Sequence, residues 1–271
     1  MKSAVTISLV PEARGGPFVF WDDLVAGCAH AAELGFDAVE IFPAGADALD
    51  AADVAKLLGA HGLKCAAVGT GAGWVGHKLR LTDPDAAVRR RAVEFVGQII
   101  DAAGTLGAPA IIGSMQGRWG DGVTREQALD WLGEALATLA EGAVRYRVPL
   151  LYEPLNRYET NLFNRQGEAA RFLRTLRSPN VRLLCDLFHM GIEEFSIADA
   201  LRAAGPLVAH VHFADSNRQA IGWGHTDMAP IMAALREVDY AGYLSAEVLP
   251  LPDSVSAARQ TMESFRRWTA T

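Results

Sequence analysis

Short apolar, β-branched runs alternate along the chain with longer segments whose apolar residues recur at helical spacing. The runs predict strands at Val5–Val10, Ala38–Phe42, Cys65–Gly69, Ala110–Ser114, Leu150–Pro154, Arg182–Leu187, Val208–Ala214 and Tyr243–Leu249. Between them, Asp22–Leu34, Pro84–Leu106, Glu126–Tyr146 and Glu168–Leu176 carry the helical pattern. Thr82 or Asp83 is the expected start of the second of these, with Pro84 tolerated in the first turn. Gly35, Gly62 and Gly107 punctuate helix ends or turns where a left-handed residue is needed. Eight such alternations in 271 residues predict an α/β chain folded as a single (β/α)8 TIM barrel over 1–271. A doubly wound sheet would use fewer strands, and no dinucleotide or phosphate-loop glycine motif follows the first strand.

Bulk properties narrow the partners. A formal net charge of −7 with a pI near 5.5 argues against a nucleic-acid partner, which needs a basic surface. Arg89, Arg90 and Arg91 form the one dense basic run, and it reads as a solvated helix face. Cys28, Cys65 and Cys185 are an odd, widely spaced set, expected to be buried thiols in a reducing compartment. No run approaches the roughly 20 apolar residues of a membrane span, and the amino terminus reads as a strand and not as a secretory signal. A cytoplasmic protein with no membrane partner is the expectation.

Into this apolar background the chain inserts Glu153, Asp186, His212 and Glu247, one near the end of each of strands five to eight. The intervals from 153 to 186, to 212 and to 247 are each about one strand–helix unit, so the four converge on the carboxyl-terminal mouth of a barrel. Burying ionisable groups there is costly without a shared partner, and a divalent cation satisfies all four at once. Three carboxylates and one imidazole suit Mn²⁺, Co²⁺ or Mg²⁺ better than a structural zinc. The alternative is that each is paired with an arginine or a backbone group across the barrel.

The stretches E-P-L-N-R-Y-E (153–159), D-L-F-H-M-G-I-E-E (186–194), H-V-H-F-A-D-S-N-R (210–218) and S-A-E (245–247) resemble the xylose-isomerase-like sugar isomerase and epimerase superfamily. Within it, the ketose 3-epimerases (D-tagatose and D-psicose 3-epimerases) are the most similar. The resemblance implies that Glu153, Asp186, His212 and Glu247 hold one ion, Mn²⁺ before Co²⁺ or Mg²⁺. It implies that Glu153 and Glu247 are the acid/base pair across a ketose whose enediolate the ion stabilises. It further implies substrate contacts from Glu159, His189 and Arg218, no organic cofactor, and a homo-oligomer, a dimer or tetramer. The same scaffold allows a lyase as the second reading: an inositol-ketone or dehydroshikimate dehydratase, or an enzyme cleaving carbon–glycosides. A sugar-binding subunit without catalysis is a more remote reading. A nuclease resembling endonuclease IV would need more histidine ligands and a basic groove.

Several residues stay open at this level. His210 lies one layer below His212 on the same strand face and is expected to be a core or orienting histidine. Glu40 could orient a ligand or sit in a core ion pair. Gln116 and Arg118 could reach substrate after strand four. The stretch 222–227 is expected to turn the chain and cap the next helix, with His225 facing the site as the lesser reading. Residues 71–81, with three glycines and Trp74, could form a lid or a rigid wall. Phe42, Trp74 and Trp119 could pack against a sugar face. With no clustered Lys/Arg set at the mouth, an unphosphorylated substrate is favoured.

Overall fold

A computed structural model describes residues 1–270. Eight parallel strands form the barrel: β1 (Lys2–Ser8), β2 (Ala38–Phe42), β3 (Lys64–Gly69), β4 (Ala110–Ile112), β5 (Leu150–Tyr152), β6 (Val181–Asp186), β7 (Val208–His212) and β8 (Tyr243–Ala246). Each pairs with its neighbour in chain order. β8 returns to β1 with Lys2 opposite Tyr243 and Val5 opposite Ala246, which closes the sheet and leaves no barrel edge. A two-residue strand, Phe20–Trp21, lies along the end of β1.

Among the described residues, ten helices surround it: α1 (Leu24–Leu34), α2 (Ala51–Ala60), α3 (Ala72–Val75), α4 (Ala86–Thr105), α5 (Arg125–Val144), α6 (Gln166–Leu173), α7 (Leu187–Glu193), α8 (Ile197–Ala204), α9 (Met228–Glu237) and α10 (Ser254–Thr269). Their starts follow side-chain chemistry. Asp23, Asp50, Ser196, Asp227 and Asp253 each accept a backbone N–H in the first turn, and Thr124 with Gln127 makes a reciprocal capping box. The start expected at Thr82 or Asp83 falls instead at Asp85, whose carboxylate accepts from Ala87 N–H. Asp83 accepts from Asp85 N–H, so Pro84 belongs to the approach and not to the first turn. Gly35, Gly62 and Gly107 do adopt positive φ at the ends of α1, α2 and α4.

Several strands end earlier than their apolar runs. The run at 110–114 stops pairing at Ile112, where Gly113 turns the chain into a short 3₁₀ segment. The run at 182–187 stops at Asp186 because that side chain begins α7. Apolar residues beyond the ladder, such as Leu155, Phe213 and Val248, are buried beneath the mouth loops, and their burial extends each run past its strand. The three cysteines are free and buried, and burial pushes the Cys28 thiol up to about 11. Among the described residues no helix is long and apolar enough to cross a membrane.

The loop after β7 is built on one carboxylate. Asp215 accepts backbone N–H groups from Ser216 (2.7 Å), Gly222 (2.7 Å), Gly224 (3.0 Å) and Thr226 (2.9 Å). That organises 215–226 and delivers Asp227 to the start of α9, as the turn-and-cap expectation for 222–227 requires. Burial raises the Asp215 carboxyl, but hydrogen bonds from Thr226, Ser216 and Gly222 outweigh it and hold it below the ordinary range. Asp215→Asn should therefore destabilise the fold by about 1–3 kcal/mol near neutral pH. Because the folded carboxyl is depressed, this advantage is present above the unfolded value of about 3.9 and disappears as pH falls through the folded one. Urea midpoints of both proteins between pH 7 and pH 3 check it; a gap that does not narrow in acid would contradict the assignment.

Candidate metal and active site

Asp186 and His212 are the last residues of β6 and β7 and stand opposite each other in the ladder. Glu153 and Glu247 lie one residue beyond β5 and β8. The four bring a carboxylate oxygen or ring nitrogen each within 4.8 Å of one another, all buried. His212 Nδ1 is 3.1 Å from Asp186 Oδ2, 3.2 Å from Glu247 Oε2 and 3.4 Å from Glu153 Oε1. Asp186 divides its labour: Oδ1 accepts from Phe188 and His189 N–H at the start of α7, while Oδ2 faces the cluster.

Electrostatics separate the members. Burial drives the Glu153 carboxyl up, and the like charge of Glu247 adds to this against the opposing pull of His212. Asp186 is also penalised by burial, yet Arg218, His189 and His212 hold it well below the carboxylate range. At His212, burial disfavours charge, but Glu247, Glu40, Asp186 and Glu153 together outweigh it and raise the imidazole. The cluster demands positive charge. Arg218 meets part of that demand by pairing with Asp186 Oδ2 at 2.8 Å and with Glu247. Glu153 Oε1 remains buried without a hydrogen-bond partner. An orphaned carboxylate oxygen beside three further oxygen and nitrogen donors fits a divalent cation that prefers oxygen with one imidazole.

Glu40 resolves one of the open readings. It is fully buried on β2, and its two oxygens meet His210 Nε2 at 2.7 Å and His212 Nε2 at 3.0 Å. With Nε2 held by Glu40, His212 presents Nδ1 to the carboxylate cluster, an orientation typical of a ligand histidine. Burial raises Glu40, but the two imidazoles hold it well below its ordinary range. His210 is thus a partner of Glu40 in the layer beneath the site.

The cluster opens into a cavity of about 720 Å³ whose lining includes Glu153, Glu159, His189, Arg218 and Glu247. His189 is buried, with Nε2 3.9 Å from both Glu153 Oε1 and Asp186 Oδ2; Glu159 is half-exposed at the rim. Arg218 adopts φ 61° and is fastened through its carbonyl, which accepts from Leu249 N–H. Phe42, Trp74 and Arg118 also line the cavity. Residues 71–81 form a wall built on α3, with Gly73 close against Met115 and Phe95.

Other candidates take supporting places. Gln116 is fully buried, its amide donating to Gly113 O and Glu153 O while accepting from Tyr152 O–H. It braces the backbone of Glu153 instead of reaching the cavity. Trp119 is clasped by Asn161 through three hydrogen bonds of 2.9 Å and does not line the cavity. That clasp, with Thr82 Oγ1 donating to Arg118 O at 3.3 Å, pins the backbone that carries Arg118. His225 donates its N–H to Ser216 Oγ outside the cavity. One residue was not singled out from sequence: Asn156, buried in the turn after β5 and 2.7 Å from His189 Nδ1.

Fold and site together define a barrel enzyme with a buried carboxylate–imidazole cluster at its mouth. A family model for the xylose isomerase-like TIM barrel matches residues 28–268, and the chain belongs to that family. A D-psicose 3-epimerase from Agrobacterium fabrum is 33% identical over 173 residues, spanning 62% of this chain and 59% of that one. An L-ribulose 3-epimerase from Methylomonas sp. is 31% identical over 243 residues, 86% of this chain and 83% of that one. A solved L-ribulose 3-epimerase structure superposes with a TM-score of 0.81 at 26% identity, covering 98% of this chain and 94% of that one.

Glu40→Gln can no longer accept from both histidines, so His212 loses its fixed tautomer. Divalent-cation affinity, read by titration calorimetry with Mn²⁺, should fall about 10–100-fold. Unchanged affinity would reduce Glu40 to a packing role.

Proposed function

We propose that the chain is a ketose 3-epimerase using a single divalent cation, with Mn²⁺ ahead of Co²⁺ and Mg²⁺, and no organic cofactor. The three relatives described above, each named as a 3-epimerase, support an enzyme of the sugar isomerase and epimerase class acting on a small-molecule sugar or polyol-ketone. The carrying observation is that Glu153 and Glu247, from separate strands, approach the same imidazole nitrogen at 3.4 and 3.2 Å while lining one cavity. A carboxylate on each side of a bound substrate is what inversion by proton removal and return requires.

Glu153, Asp186, His212 and Glu247 would hold the cation, which supplies positive charge that acidifies a carbon-bound proton beside a carbonyl. Glu153, its carboxyl raised by burial, is suited to exchange a proton with that carbon. Glu247 serves the opposite face, returning a proton so that the centre inverts without change in composition. Arg218 offers fixed donors to substrate oxygens, His189 reaches them from beside the cluster, and Glu159 contacts hydroxyls nearer the rim. Asp186 and His212 act as ligands alone.

An unphosphorylated substrate suits the mouth. Four arginines line the cavity, but Arg14 pairs with Asp22, Arg80 with Asp83 at 2.7 Å, and Arg218 with Asp186 and Glu247. Phe195 and Tyr158 are 94% and 76% exposed on loops at the mouth end, a surface suited to a second copy, and a dimer or tetramer is the expected assembly. A cytoplasmic location accords with the three free, buried cysteines.

Incubating the protein with Mn²⁺ and a panel of ketohexoses and ketopentoses in D₂O should give epimers carrying deuterium at C3. Chelation should abolish exchange. Glu153→Gln and Glu247→Gln should each lower it by more than the roughly 10²–10⁴-fold of acid/base assistance, since each also disturbs ion binding. Full activity after chelation, or in either variant, would refute the assignment. Products lighter by one water would move the chain to the dehydratases, and cleavage of a carbon–glycoside to the carbon-glycosidases; ion and sugar binding without turnover would make it a binding subunit. Light scattering of the purified protein reads the assembly, and a monomer would remove the oligomer from the proposal.

A further inference from the structure

We infer that Asn156 is a positioning residue that holds His189 with its ring proton on Nε2, so that His189 offers the substrate a hydrogen-bond donor and not a base. The inference rests on the ketose reading for the identity of the acceptor, and on geometry alone for the proton.

Three contacts fix the Asn156 amide. Tyr158 N–H donates to Asn156 Oδ1 at 3.0 Å, so the oxygen is on that side. On the other side, Nδ2 donates to Glu159 Oε1 at 3.2 Å and lies 2.7 Å from His189 Nδ1. Rotating the amide by half a turn would set an NH₂ group against the Tyr158 N–H and an oxygen against a carboxylate, losing both bonds. The group facing His189 Nδ1 is therefore a donor, and Nδ1 must present its lone pair. In the neutral ring the proton then sits on Nε2. Asn156 is 3% exposed, and the next residue anchors the turn by donating Arg157 N–H to Glu193 Oε1 at 2.6 Å.

Nε2 points toward the cluster, and the nearest carboxylate oxygens, at 3.9 Å, lie beyond hydrogen-bond reach. His189 lines the cavity, so the free N–H is directed at whatever occupies it. As Glu153 takes a carbon-bound proton from a ketose, negative charge grows on the neighbouring carbonyl oxygen. A neutral donor at that oxygen stabilises the charge without surrendering its own proton. The second Asn156 hydrogen bond orients Glu159, so one buried amide sets both side chains.

The test combines the ring proton with the reaction. In Mg²⁺-loaded protein labelled with ¹⁵N-histidine, long-range ¹H–¹⁵N spectra should show His189 protonated on Nε2 only, with the signal identified by its loss in His189→Gln. Asn156→Asp replaces the donor by an acceptor and should move a proton onto Nδ1. It should lower kcat for ketose epimerisation about 10–100-fold while leaving Mg²⁺ affinity unchanged. A wild-type His189 protonated on Nδ1 overturns the inference whether or not the variant folds. A variant that gains the Nδ1 proton but keeps its kcat overturns the catalytic consequence. Wild-type protein with the Nε2 proton but no ketose turnover would instead refute the ketose reading and leave the proton assignment in place.

Discussion

Three carboxylates buried around one imidazole nitrogen impose the strongest constraint on this molecule. Ionised oxygens removed from water repel one another and lose solvation, so the barrel mouth is stable only if positive charge is supplied there. Much of the surrounding structure answers that demand. Arg218 reaches in from the β7 loop to bridge Asp186 and Glu247, on a backbone held by Leu249 and by the Asp215-centred turn. Glu153 Oε1, left without a partner, marks where further positive charge belongs. Four strand ends share the site, so none needs a distorted backbone to contribute.

The two histidines nearest the chemistry are set to opposite tasks by opposite partners. Glu40, an acceptor, holds the Nε2 proton of His212 away from the cluster and turns Nδ1 toward it. Asn156, a donor, occupies the Nδ1 lone pair of His189 and exposes a proton to the cavity. A carboxylate behind one ring and an amide behind the other thus present different faces of the same side chain to the interior. Neither partner need touch the substrate to have this effect. Both are buried, which keeps water from competing for the ring nitrogens.

Sequence alone carried the barrel and the convergence of Glu153, Asp186, His212 and Glu247, because one polar residue at each of four successive strand ends is a local, periodic signal. Glu40 was visible as an oddity in an apolar strand, but its partners lie 170 and 172 positions away. Only the closed ladder, which sets β2 across the interior from β7, makes that contact. Asn156 stood inside the E-P-L-N-R motif, yet nothing in a linear pattern distinguishes an amide that orients a histidine from one that ends a turn. Gln116 and Trp119 stay open in the sequence for a related reason: proximity to a strand end does not reveal that a side chain is already engaged by the backbone. The overlong strands share that origin, since residues buried beneath loops look the same in sequence as residues in a ladder.

The clasp between Asn161 and Trp119 separates backbone from side chain at the cavity wall. The loop is held by bonds to main-chain groups and to Trp119, and none of them involves the Arg118 guanidinium, which stands exposed over the cavity. A change at position 118 would alter what the outer cavity recognises without unfastening the loop or disturbing the ion cluster. The barrel thereby keeps its outer lining and its buried cluster on different footings: a rim side chain can be exchanged without touching the bonds that fix the layer below.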